Sequence, residues 1–125
     1  MKSLIIDTTG EQIFLKIITK DKEYNINHNN CRENFDKLVK LLFAFLKQNS
    51  IPLLSIDNIF VNQGPGKYTS IRSAISIVKA IKISKSINVY GYFSYQITDN
   101  NYNYLLQLLK EGRLTKDLIQ PKYSN

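Results

Sequence analysis

Between Ser70 and Lys85 the sequence reads SIRSAISIVKAIKISK, and neither glycine nor proline occurs between residues 67 and 90. Ile71, Ala74, Ile75 and Val78 recur at helical spacing, while Ile77, Ala80 and Ile81 add a second apolar stripe. A helix that is apolar on two sides is buried on two sides, so it needs a layer beneath it and a second surface along its flank. On either side lie the short apolar runs DNIFVNQ, a strand from about 58 to 63, and INVYGYF, a strand from about 87 to 93. Strand, helix and strand in this order form a parallel βαβ unit.

The preceding residues extend the sheet. The first segment, SLIIDTTGEQIFLKIITKDKEYNI, alternates Ile-rich runs with turn chemistry at Thr8-Thr9-Gly10-Glu11 and Lys20-Asp21-Lys22-Glu23. Strands are expected over 2–7, 12–19 and 22–26 in an antiparallel meander, the fully apolar LII marking the first as central. A helix is expected over 32–48, opened by a capping box of Asn30 and Glu33 and carrying Phe35, Leu38, Val39, Leu42, Phe45 and Leu46 on its stripe. Leu41 and Phe43 fall off that stripe and widen the apolar surface beyond what one sheet requires. After Ser94 one further helix, containing Leu105, Leu106, Leu108 and Leu109, ends near Gly112, and the last stretch reads as an extended tail or an edge strand. The fold class is α/β: a βββαβα mixed sheet with flanking helices over residues 1–93, then a short C-terminal remnant over 94–125. That order is one lobe of the actin-like ATPase fold (ASKHA, RNase H-like), in which two such lobes clamp a nucleotide.

Length and composition narrow the function. With 125 residues the chain supports one core and lacks room for two ordinary lobes. No run of about 18 apolar residues occurs, and MKSLIIDTTGEQ turns polar too early for a signal peptide, so a cytoplasmic protein without membrane contact is expected. Cys31 is the one cysteine and reads as an incidental thiol; His28, the one histidine, reads as a loop residue and cannot form a His-pair metal site. The net charge of +7 raises the prospect of nucleic acid, but 14 of the 17 basic residues are lysines scattered along the chain. Such charge gives general affinity for RNA rather than a reading surface.

The loop NQGPGKYTSIR, residues 62–72, has the look of a phosphate cradle. A P-loop requires G-x-x-x-x-G-K followed by Ser or Thr, yet Val61 stands at the first glycine and Tyr68 at the hydroxyl. A dinucleotide fingerprint fails as well, with Thr69 at its last glycine. Two readings of the loop remain: helix amides at 69–72 greeting an anion, or Thr69 or Ser70 capping the helix after a turn made by Gly64, Pro65 and Gly66. Arg72 opposes the helix dipole in the first turn and calls for a carboxylate, such as Asp7, or a group on a partner. Asp7-Thr8-Thr9-Gly10 is either half of a phosphate site or a hairpin turn with an Asx-type bond. No catalytic set, cofactor site or metal site is otherwise expected.

Gly64-Pro65-Gly66-Lys67-Tyr68-Thr69-Ser70-Ile71-Arg72 resembles the G-P-G-S-[FY]-T-G-[LIV]-R signature of the TsaB family, also called YeaZ. Ile5-Ile6-Asp7-Thr8-Thr9 resembles the family's opening, Val89-Tyr90-Gly91-Tyr92 its later strand, and Gln120-Pro121-Lys122-Tyr123 its terminal P-x-Y. Lys67 and Ser70 replace small residues, Ser73-Ala74 stands where Ile-Gly is common, and most of the family's second domain has no counterpart.

The resemblance implies a non-catalytic subunit in making threonylcarbamoyladenosine in tRNA. It would form a heterodimer with TsaD, which holds the metal and transfers the threonylcarbamoyl group to an adenosine beside the anticodon. TsaE joins that pair, and tRNA is engaged indirectly. In the family the two lobe-one helices pack against the partner's equivalents, which makes Phe35, Leu38, Leu42, Ile71, Ile75 and Val78 the expected seam. A homodimer through the same seam is expected when the partner is absent. The rival expectations are a basic tRNA-binding module using Lys79, Lys82 and Lys85, and a small independent ATPase using Asp7 and the Gly66 loop.

Overall fold

The computed structural model describes residues 1–85, 87–99 and 101–116. Six strands form one sheet in the order β3-β2-β1-β4-β5-β6: β1 (Ser3–Asp7), β2 (Gln12–Ile18), β3 (Glu23–Asn29), β4 (Asn58–Asn62), β5 (Asn88–Tyr92) and β6 (Thr115–Lys116). The first three make the antiparallel meander, with Ile5 opposite Lys16 and Leu15 opposite Ile26. Strand β4 then lies parallel to β1, and β5 parallel to β4, as the βαβ reading requires. All five residues of β4 are buried, whereas β3 alternates exposed and half-buried residues, as a sheet edge does.

Each sheet face has its own core. Leu4, Ile6, Leu15, Ile59, Val61 and Val89 lie under the helices α2 (Leu38–Gln48) and α3 (Tyr68–Lys85). Ile5, Phe60 and Tyr92 face the other way, against Tyr102 and against Leu105 and Leu108 of α4 (Tyr104–Lys110). Residues 94–116, expected within a remnant of a second lobe, thus pack on the same sheet, with β6 antiparallel to β5. Helix α4 stops in a Schellman arrangement. Gly112, at φ +68°, donates its amide to the Leu109 carbonyl, and the Arg113 amide reaches the Leu108 carbonyl. The terminal Gln120-Pro121-Lys122-Tyr123 lies outside the described residues.

Three local expectations are corrected. The helix expected over 32–48 is two, α1 (Arg32–Phe35) and α2, because Lys37 leaves helical dihedrals (φ −115°, ψ 29°) and re-aims the chain so that Leu38, Leu42, Phe45 and Leu46 face the core. The Asn30 capping box does not form. Cys31 takes the cap position, while the Asn30 amide is used in tertiary bonds to Thr8, Gly10 and Ser70. His28 sits in β3 opposite Ile13 rather than in a loop, since β3 runs three residues further than its apolar content suggests.

Candidate functional site

The loop after β4 is built to lie against the β1–β2 turn. Gly64 has φ +112°, a conformation that favours glycine, and the Gly64–Pro65 bond is cis. The Gly64 amide donates to Asn62 Oδ1 at 2.9 Å, and its carbonyl accepts from the Ser94 amide at 3.0 Å. At Gly66 an added Cβ would fall 2.6 Å from the Thr9 Cβ and 2.8 Å from its Cα, so only glycine permits this approach. The Lys67 amide donates to the Thr9 carbonyl at 3.2 Å, and Lys67 Nζ lies 3.5 Å from Glu11. Backbone of the same chain therefore occupies the space beside the loop that a phosphate would need. Helix α3 begins at Tyr68, which puts Thr69 and Ser70 inside its first turn and corrects the expectation that one of them caps it.

Thr8 and Ser70 lock this arrangement. The Thr8 hydroxyl donates to the Ser70 carbonyl and the Ser70 hydroxyl to the Thr8 carbonyl, while the Asn30 amide reaches both the Thr8 carbonyl and Ser70 Oγ. Neither sequence motif pointed to Asn30; its contacts are 22 and 40 residues away in sequence, beyond the reach of local pattern.

Asp7 is likewise engaged internally. Its Oδ1 accepts from the Thr9 amide at 3.0 Å and the Thr9 hydroxyl at 2.7 Å, and its Oδ2 from Asn62 Nδ2 at 3.1 Å. The D-T-T-G stretch thus forms the Asx-type turn that was one of its two readings. Burial, then the Asp7 charge and its hydrogen bond, push the Tyr102 hydroxyl pKa well up. Burial also raises Tyr92, helped by Asp7 and Tyr102 and opposed in part by Asn62. An open cleft of 560 Å³ runs past Asp7, Thr9, Phe14, Lys16, Asn27 and Tyr102. Among the described residues no three His, Cys, Asp or Glu side chains converge as metal ligands would. Arg72 does not meet Asp7: its guanidinium lies 5.2 Å from the Tyr68 ring centroid, with Nη1 donating to the Tyr68 hydroxyl at 2.9 Å. The nearest strong acceptor one helical turn away has won over a carboxylate on another strand.

The expected seam residues are mostly interior. Leu38, Leu42, Ile71, Ile75 and Val78 are at most 4% exposed and pack within the chain's own core; Phe35 alone is partly exposed. Those stripes are spent on the sheet, which moves any docking surface to the opposite shoulders of the two helices. There Val39 and Phe43 are 45% and 46% exposed and, with Leu53, Ile77, Ala80 and Ile81, line an apolar groove of 370 Å³ between α2 and α3. A second hollow, of 470 Å³, continues it past Val39 and Ile77 to Tyr68 and Arg72. The sequence signal for this face was the pair of off-stripe features, Phe43 on α2 and Ile77-Ala80-Ile81 on α3.

The sheet order and the helices on its two faces define an RNase H-like lobe of the actin-like class. Solved structures share it: YeaZ from Pseudomonas aeruginosa superposes with a TM-score of 0.68 at 21% identity, over 74% of this chain and 43% of that one. RuvC of T. thermophilus, solved in complex with a Holliday junction substrate, superposes with a TM-score of 0.51 at 14% identity, over 77% of this chain and 66% of that one. No protein-family profile matches the chain. Two curated sequences do, both named tRNA threonylcarbamoyladenosine biosynthesis protein TsaB. The protein from Buchnera aphidicola subsp. Schizaphis graminum is 27% identical over 88 residues, which span 70% of this chain and 42% of that protein. Its counterpart from Buchnera aphidicola subsp. Baizongia pistaciae is 27% identical over 85 residues, 67% of this chain and 38% of that protein. These relatives, with the fold, place the chain in the TsaB/YeaZ family; it spans about two fifths of their length. Among the described residues no helix is long and apolar enough to cross a membrane.

Proposed function

We propose that the chain is a non-catalytic scaffold subunit in threonylcarbamoyl transfer to the tRNA adenosine beside the anticodon, and that it acts in the cytoplasm by pairing with TsaD. The docking surface is the outer face of α2 and α3 in the lobe formed by residues 1–93. TsaE joins the pair, and tRNA is held through the partner. The observation that carries this reading is the apolar groove between α2 and α3, whose Val39 and Phe43 remain nearly half exposed in a chain homologous to TsaB proteins. Aromatic and aliphatic side chains left in a groove between two helices suit a helical partner, as in a four-helix packing. The engaged state of Asp7 and the filled space beside Gly66 support a structural rather than a nucleotide-handling role for the two motifs.

Co-expression with TsaD from the same organism tests the proposal. Wild-type chain should co-purify with TsaD, and Phe43→Asp with Ile77→Asp should abolish this while the altered chain still unfolds cooperatively. A complex that survives both changes would show that the groove is not the docking face.

A further inference from the structure

The groove has a one-signed border. Helices α2 and α3 carry Lys40, Lys47, Arg72, Lys79, Lys82 and Lys85, and neither contains Asp or Glu. All but Lys82 are exposed. The nearby carboxylates, Glu33 and Asp36, face Lys37 at 3.9 Å and Arg32 at 3.7 Å. Among the described residues no carboxylate lies within ion-pair distance of Lys40, Lys47, Lys79 or Lys85.

We infer that this face accepts an apolar helical surface bordered by carboxylates on a different protein, and that it rejects a second copy of this chain. The inference rests on the reading of α2 and α3 as a docking surface and adds the chemistry of its occupant. In a two-fold homodimer the same patch meets itself, so Lys40, Lys47 and Lys79 of one copy would confront the same cations of the other. Like charges brought together at an interface are strongly unfavourable, and only high salt relieves them. A partner with Asp or Glu around an apolar stripe satisfies both the groove and its border, and is steered toward it in solution. A nucleic acid would use the lysines but leave Val39 and Phe43 against a polar backbone, so the apolar floor argues for protein.

Sedimentation of the chain alone and titration with purified TsaD, each from about 50 mM to about 500 mM salt, test this, because screening lengths fall from beyond a helix diameter to a few ångströms over that range. The chain should be monomeric at low salt. Its affinity for TsaD should fall roughly tenfold or more across the series, and Lys40→Glu with Lys79→Glu should weaken it by a similar factor at low salt. Wild-type salt dependence keeps the test independent of how the double variant folds. A homodimer at low salt overturns the inference, as does a complex indifferent to salt and to charge reversal, which leaves the docking face itself intact. Absence of any complex overturns both. Loss of tRNA binding in the double variant with unchanged TsaD affinity would assign the border to RNA and also overturn it.

Discussion

Thr8 and Ser70 exchange hydrogen bonds across 62 residues of sequence: Thr8 Oγ1 donates to the Ser70 carbonyl at 2.9 Å, and Ser70 Oγ donates to the Thr8 carbonyl at 2.8 Å. Both residues are at most 1% exposed, so the pair ties the end of β1 to the start of α3 in a dry setting. Ser70→Ala removes one of these bonds and also the acceptor for Asn30 Nδ2 at 3.1 Å. Leaving buried groups without partners costs about 1–3 kcal/mol. Urea unfolding should therefore show a lower midpoint for Ser70→Ala and for Thr8→Val. A double-mutant cycle should give a coupling of roughly 0.5–1.5 kcal/mol, since the two act through shared partners.

Gly66 and Gly10 provide a matched pair. A Cβ at Gly66 would overlap the Thr9 backbone and side chain, whereas one at Gly10 meets nothing within 4 Å. Gly66→Ala must push the loop away from the β1–β2 turn, at a cost of about 1–3 kcal/mol, while Gly10→Ala should stay within about 0.5 kcal/mol of wild type. Thermal melts of the two variants, side by side, check the difference.

The layered architecture was legible because each element announces its period. Alternation and turn residues mark the meander, and the uninterrupted helical repeat of 70–85 fixes the βαβ unit. Two kinds of information were not local. Asn30 reads as a helix cap by its offset from Glu33, but tertiary acceptors on Thr8 and Gly10, at 2.8 Å each, outcompete the cap. Periodicity also shows that a face is buried without saying against what. Ile71, Ile75 and Val78 form the more regular stripe and face the sheet; the less regular Ile77 and Ala80 line the groove. The motif loop was legible as a turn. That Gly66 serves the close approach of Thr9 became visible only with the two strands side by side.

Tyr92 and Tyr102 should govern part of the alkaline limb of stability. Both hydroxyls have folded-state pKa values raised above the ordinary 10.0 by burial first and by Asp7 second. The unfolded chain thus loses these protons at lower pH than the folded one. Their contribution is fully present below about pH 10 and is lost as pH rises toward the higher folded-state values. Tyr92→Phe and Tyr102→Phe should each flatten the fall in unfolding free energy above about pH 10 by up to one proton per site. The Tyr92 hydroxyl is fully enclosed without a hydrogen-bond partner of good geometry, so Tyr92→Phe at neutral pH should leave stability unchanged or raise it by up to about 1 kcal/mol. Denaturant unfolding from neutral to alkaline pH measures both effects.

Leu42 and Phe43 are neighbours on α2 with opposite surroundings: Leu42 is wholly buried, and Phe43 is 46% exposed at the groove. An aspartate at Leu42 would place a charge under the sheet-facing core, where its transfer costs several kcal/mol on top of the lost packing. Total stability of about 5–15 kcal/mol leaves little margin, so Leu42→Asp should leave most of the chain unfolded. Phe43→Asp, on the solvent side of the same turn, should cost no more than about 1 kcal/mol. Circular dichroism and urea midpoints separate the two. The contrast matters for mapping the docking face, because loss of a complex in Leu42→Asp reports the fold, and loss in a well-folded Phe43→Asp reports the surface.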